Sequence, residues 1–274
     1  MRFFKRVVDF YIDASIHVGL AVYALVWISL LTFDISYDKA LGYVVFCATV
    51  VSYNFMKFGT TAKKYFIVTS RYLKIIQVFS FVCFGVAAFY AFQLRFPTLM
   101  ILALTTVLTG LYALPFLPNR TSFRSLHGVK IYVVALCWSL ITVLLPVVNA
   151  EYQFSNDVAI EFVQRFLIVL VLILPFDIRD LKHDELRLGT LPQQIGIKKT
   201  KGLGITILIV FWLLSFLKDD YTVQTMWIHG VIALITGIFL LFSKENQSEY
   251  YSSLYVESIP LAWLFLVLLS NKLF

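Results

Sequence analysis

"DIRDLKHDELRLGTLPQQIG", residues 177–196, interrupts a chain otherwise dominated by apolar runs. Its aspartates at 177, 180 and 184 are spaced three and four apart. If helix continues through them, residues at that spacing share one face. Three carboxylates on one face repel each other unless a cation sits among them. Hard divalent cations such as Mg2+ take carboxylate oxygens and keep positions open for phosphate. The same stretch carries Arg179, Lys182 and Arg187, which would neutralise the aspartates locally in a solvated loop. Spacing alone leaves both readings open.

The rest of the chain sets the solvent in which this island must work. Of 274 residues, 60% are hydrophobic and 14% charged, with a mean hydropathy of +0.83. A soluble domain carries about 25% charged residues. So much apolar surface points to a membrane protein of the all-α integral class, because lipid offers no partner for backbone N–H and C=O groups. Nine apolar spans can be drawn, at about 14–33, 41–56, 75–92, 98–115, 129–149, 158–176, 203–217, 226–242 and 254–271. No polar block is long enough for a second domain, so residues 1–274 read as one polytopic domain. The two long loops, 57–74 and 177–202, lie four spans apart. That spacing suggests two four-helix halves, spans 1–4 and 5–8, plus a ninth helix.

Charge gives an orientation. Eighteen of the 23 Lys and Arg residues fall on the N-terminus and the even-numbered loops, four fall on the opposite side, and Arg165 sits within a span. The positive-inside rule then places the N-terminus and both long loops in the cytosol. The expected location is a bacterial inner membrane with the working face towards the cytosol. The net charge of +7 is spread through short loops in this way, which argues against nucleic acid as a partner. Membrane lipid is the expected surroundings.

The 177–196 stretch resembles the second aspartate-rich motif of the UbiA superfamily of intramembrane prenyltransferases. The matching features are the "DIRD" start, the later aspartate of "RDLKHD", and the glycine followed by "TLPQQIG". Weaker matches are "LYALPF" (111–116) and "GVKIYVVALCWS" (128–139), which bring Tyr112 and Lys130 to positions where the family often has Tyr and Lys. The resemblance implies nine transmembrane helices with cytosolic loops after the second and sixth. It also implies a reaction in which a prenyl diphosphate bound through Mg2+ ionises and a lipophilic acceptor captures the allylic cation. By this carry-over Asp180 and Asp184 are metal ligands and Asp177 is a third ligand or a partner that supports the ligands, all three counted as catalytic. Arg179, Lys182 and Lys130 become diphosphate contacts, and Tyr112 lines the substrate site.

The family's first motif normally reads Asn-Asp-x-x-Asp-x-x-x-Asp. The corresponding stretch here, "SYNFMKFGTTAKKYF" (52–66), keeps Asn54 but holds Phe55, Phe58 and Ala62 at the three aspartate positions. Half of the expected metal site is therefore missing, and fewer Mg2+ ions than the family norm are expected. Lys57, Lys63 and Lys64 stand there instead, and lysine is a competent point charge for phosphate. Asn54 and Lys57 join the expected substrate contacts. The alternative is a non-catalytic relative that binds an isoprenoid lipid or a membrane protein partner on the same scaffold.

Other signals are weaker. Glu161 and Arg165 are four apart in one span and read as an ion pair across a helical turn. Cys47, Cys83 and Cys137 fall in apolar runs without metal spacing and read as packing. His183 adjoins the aspartates and reads as an exposed loop residue.

Overall fold

The computed structural model describes residues 2–58, 70–113, 128–182, 189–220 and 222–273, with side chains from residue 4 to 271. Asp184, His183, Arg187, Ala62, Lys63 and Lys64 lie outside this set. The described residues form helices and no strands. In order these are α1 (Arg2–Asp13), α2 (Ile16–Thr32), α3 (Lys39–Phe58), α4 (Arg71–Ala91) and α5 (Phe96–Ala113), followed by α6 (Val129–Asn149) and α7 (Asn156–Asp180). A short α8 (Leu191–Ile195) precedes α9 (Ile197–Leu217), α10 (Val223–Phe242) and α11 (Tyr251–Asn271). Eight of the described helices are long and apolar enough to cross a membrane, and nine spans result if the bent pair α1–α2 counts as one. This is a multi-pass integral membrane protein.

The helices stop and bend where local chemistry demands it. Ser15 has φ 58°, a left-handed conformation that side chains other than glycine seldom adopt. It ends α1 and turns the chain by 59° into α2. Proline disturbs two of the spans. A π-helical turn at Leu140–Leu144 precedes Pro146 in α6, and another at Tyr251–Val256 precedes Pro260 in α11. A proline ring clashes with the carbonyl four residues back, and the wider turn makes room for it. Pro175 lies inside α7, and the helix continues past it to Asp180. The side-chain amide of Gln247 donates to the Pro175 carbonyl at 2.9 Å, so the loop before α11 is pinned to the end of α7.

α7 is the central post. About 67% of its apolar window is buried inside the protein, against 11% for α4. Its residues Ile168–Leu174 and Ile178 meet Ile131 and Ala135 of α6, Leu208 and Phe211 of α9, Ile232 and Leu240 of α10, and Trp263 of α11. A second core joins α2 and α3 through Val22, Val26, Leu41 and Val45, against Leu94 and Leu145. In lipid such contacts stabilise by close packing rather than by removal from water. The outward faces carry Phe81, Phe84 and Phe89 on α4 and Trp227, Leu234 and Leu241 on α10, all exposed on the protein and suited to acyl chains. The three cysteines are buried and unbridged.

Candidate functional site

The stretch 189–196 folds as a sequence of turn devices. Gly189 has φ 53°. Thr190 caps α8, its backbone N–H bonded to the Gln193 side chain at 3.0 Å in a capping box. Gln194 donates from its amide to the Gly189 carbonyl. Gly128, with φ 68°, lies against this turn: a β-carbon there would stand 3.1 Å from Gln194 Nε2 and 3.5 Å from the Gly189 carbonyl. The "GTLPQQIG" segment thus seats the start of α6, which carries Lys130.

Lys130 reaches across to α7. Its Nζ lies 3.0 Å from Asp177 Oδ1, and the Asp177 side chain is fully buried. One turn on, Asp180 is gripped by its neighbour: Arg179 Nε and Nη2 donate to the two carboxylate oxygens at 2.7 and 3.1 Å. Arg179 also stands 5.4 Å from the centroid of the Phe176 ring. Lys182 donates to Asn246 Oδ1 at 2.6 Å and faces Glu245 at 3.9 Å. Lys57, at the end of α3, donates to the Ile12 carbonyl at 2.9 Å.

These groups line one cavity of ≈ 810 Å3. Of the residues expected from sequence, it brings together Lys57, Tyr112, Lys130, Arg179, Asp180 and Lys182. Asp177 sits behind the wall and orients Lys130. Asn54 does not line the cavity; its amide donates to the Ala14 carbonyl at 3.1 Å and to Ser80 Oγ at 2.8 Å, tying α3 to the α1–α2 turn and to α4. Phe55 is exposed, and neither Phe55 nor Phe58 lines the cavity.

The cavity also contains residues that the sequence did not single out. Glu257 follows the π-helical turn of α11 and interacts electrostatically with Lys57 and Arg179. Asp13, Glu245 and Glu249 complete the acidic lining. An ionisable residue within an apolar span is a functional candidate by default, and that signal marks Glu257 in "YVESIPLAW". Near the mouth, Tyr250 donates its hydroxyl to Asp9 of α1. That hydrogen bond pushes the Tyr250 phenol above its ordinary pKa.

Deeper in the bundle the walls become apolar. A small adjoining cavity of ≈ 80 Å3 shares Tyr53, Met56, Tyr112, Val134 and Trp138 with the large one. Trp138 Nε1 donates to the Tyr53 hydroxyl at 3.0 Å, which removes both polar tips from the apolar surface.

The magnesium expectation can be tested on the donors present. Among the described residues no group of three or more His, Cys, Asp or Glu side chains is placed to hold a metal ion. Asp177 faces Lys130 and Asp180 is held by Arg179, while Asp184 lies outside the described residues. The described carboxylates therefore do not by themselves fit a metal site.

A second polar cluster lies inside the bundle, away from the cavity. Glu161 receives Arg165 at 2.7 Å and Lys218 at 2.6 Å. Arg165 also donates to the Leu25 carbonyl at 2.9 Å and lies 5.1 Å from the centroid of the Trp263 ring. Gln164 donates to the Phe211 carbonyl at 2.8 Å and Ser215 Oγ at 3.0 Å, and Ser215 meets His229 at 2.8 Å. The expected Glu161–Arg165 pair is present, and it is the centre of a larger network.

No family model and no curated protein sequence matches the chain. Solved structures do. A digeranylgeranylglyceryl phosphate synthase matches with a TM-score of 0.57 at 13% identity, over 96% of each chain. A UbiA homologue from Archaeoglobus fulgidus bound to GPP and Mg2+ matches with a TM-score of 0.64 at 9% identity, over 96% of this chain and 99% of that one. The homologue bound to DMAPP and Mg2+ gives 0.64 at 9% identity, over 97% and 99%. At such identities the likeness concerns architecture: the chain has the UbiA-type fold.

Proposed function

We propose that this chain, with its UbiA-type fold, binds a prenyl diphosphate in the ≈ 810 Å3 cavity and transfers the isoprenyl group to an aromatic or other lipophilic acceptor. One observation carries the reading. The cavity combines four basic side chains, Lys57, Lys130, Arg179 and Lys182, with a wall that continues into an apolar recess. A diphosphate needs the first and an isoprenoid tail needs the second. The GPP and DMAPP bound to the fold neighbour support that ligand class.

In this reading the C1–O bond of the prenyl diphosphate breaks, and its electron pair leaves with the diphosphate. Lys57, Lys130 and Arg179 stabilise the negative charge that develops there. The faces of Phe176, Tyr53 and Trp138 shield the allylic cation. The acceptor attacks C1 and loses its proton. The fold neighbour is bound to Mg2+ in one structure and to Cd2+ in another. The described donors here do not fit a metal site, so the diphosphate is assigned to basic side chains and no step is routed through magnesium. The charge asymmetry of the loops supports a cavity face turned towards the cytosol.

The test is calorimetric titration of geranyl diphosphate into protein in nanodiscs, with Mg2+ and with EDTA, followed by assay of diphosphate release. Saturable binding that weakens about tenfold or more in Lys57→Ala or Arg179→Ala supports the reading. Absence of binding in the native protein, or indifference to both substitutions, sinks it. A non-catalytic lipid- or partner-binding relative is favoured by one observation: Arg179 occupies both oxygens of Asp180. Binding without diphosphate release, with every acceptor tried, would select that second reading.

A further inference from the structure

α1 divides into two halves with different surroundings. Its C-terminal half is tied to the bundle. Phe10 packs at 6.3 Å from Tyr72 and 6.4 Å from Phe79 of α4. Asp13 accepts from the Tyr72 hydroxyl at 2.7 Å, and the Ile12 carbonyl accepts from Lys57 at 2.9 Å. Tyr11 and His17 are hydrogen-bonded at 2.8 Å, and Asp9 is bonded to Tyr250. The N-terminal half is bare: Phe4 is 74% and Val7 49% exposed, and Lys5 and Arg6 between them are exposed as well.

The pattern of this helix is that of an interfacial one. At about 100° per residue, Lys5, Arg6, Asp9 and Asp13 fall on one side. Phe4, Val7, Val8, Phe10, Tyr11 and Ile12 fall on the other. Polar and apolar residues separate cleanly around the axis, as in helices that lie in a membrane surface. The 59° bend at Ser15 turns α1 away from the direction of the spanning α2 and nearer to the membrane plane. Both acidic residues of α1 are engaged within the bundle, so the exposed half presents only positive charge beside exposed apolar groups. A soluble protein partner would leave Phe4 and Val7 facing water until it arrived. The leaflet next to the cavity end of the bundle is always there.

We propose that α1 is a lipid-surface anchor: Phe4 and Val7 enter the adjoining leaflet, and Lys5 and Arg6 pair with the headgroups of anionic phospholipids. Because Ile12 and Asp13 of the same helix line the large cavity, the anchor also fixes one of its walls. Hydrogen exchange of the intact protein tests this in nanodiscs of phosphatidylcholine alone and of phosphatidylcholine with phosphatidylglycerol. Amides of α1 are expected to exchange roughly tenfold more slowly in the anionic discs, and high salt should remove the difference. Lys5→Glu/Arg6→Glu and Phe4→Ser/Val7→Ser should each abolish the slowing. Amides of α7, followed in the same samples, should exchange alike in every variant and so report an intact fold. Equal exchange of α1 in the two discs, or a slowing that survives the charge reversal, overturns the proposal. A slowing that appears only as protein concentration rises would assign the face to a second copy and overturn it too.

Discussion

Lys130 places an ammonium 3.0 Å from the fully buried Asp177 carboxylate, and much of the local structure exists to hold it there. A buried charge that loses its partner is costly, of order 3 kcal/mol or more, whereas removing both charges together is often nearly neutral. Lys130→Met alone should therefore lower the thermal stability of the detergent-solubilised protein by about that amount. The cost is reduced in so far as Lys130, one-fifth exposed, gives water a path to the carboxylate. Lys130→Met/Asp177→Leu should regain most of the loss, and a double variant no more stable than the single one would show that Asp177 is not supported by this pair. The Glu161 cluster makes a sharper case. One carboxylate there serves two cations, Arg165 and Lys218, and all three side chains are at most 5% exposed. Glu161→Gln leaves two buried positive charges facing each other, and a loss of roughly 3–5 kcal/mol is expected. Pairing it with Lys218→Met should restore part of this, because one cation then has fewer like charges to meet. Thermal unfolding of the single and double variants decides whether the network is held by Glu161 or merely surrounds it.

At the scale of elements, helix–helix approach in lipid depends on small residues at the crossing. Gly204 of α9 is such a point: a β-carbon there would stand 2.3 Å from a Leu240 methyl and 3.0 Å from a Leu174 methyl. Gly204→Val should force α9 away from α7 and α10 and cost about 1–3 kcal/mol. Gly202, two residues earlier, has open space around it, and Gly202→Ala should be neutral or stabilising by up to about 1 kcal/mol. Equal melting temperatures for the two variants would refute the crossing. The apolar runs announced the elements because a chain in lipid must satisfy its backbone internally, which leaves helix as the form of every run. Their ends were less legible. The expected span 158–176 extends to Asn156–Asp180, because Asp177 and Arg179 stay helical once Lys130 and Asp180 balance them. The basic lining of the cavity could be read from Lys57, Lys130, Arg179 and Lys182. Glu257 was legible as a charge inside an apolar span, but its place in the cavity beside Lys57 and Arg179 was not, since that depends on how α11 is set against α3 and α7. Asn54 shows the converse. An amide that matched a motif position is spent on a carbonyl and a hydroxyl between helices, and sequence does not say which partner an amide will find.

At the scale of the whole molecule, the two ends of the bundle differ in chemistry. Lys57, Lys130, Arg179 and Glu257 line one cavity, so the end of α3, the start of α6, the end of α7 and the start of α11 share one side. The other side is closed by short connections, several of them held by hydrogen bonds and an ion pair. Asn149 bridges Asp38 at 2.8 Å and Thr98 at 3.1 Å. Asp157 accepts from the backbone N–H groups of Asp219 and Asp220 at 2.7 and 3.0 Å. Arg95 pairs with Glu151. In the proposed orientation the excess of Lys and Arg keeps the cavity side in the cytosol, since positive loops resist translocation. Substituted-cysteine labelling checks the consequence. The native thiols are buried and should stay unlabelled by a membrane-impermeant maleimide in intact cells. Glu151→Cys, at the connection between α6 and α7, should label in intact cells. Ser248→Cys, in the exposed loop before α11, should label only after the membrane is permeabilised. The reverse pattern would place the cavity mouth outside the cell and overturn the proposed orientation.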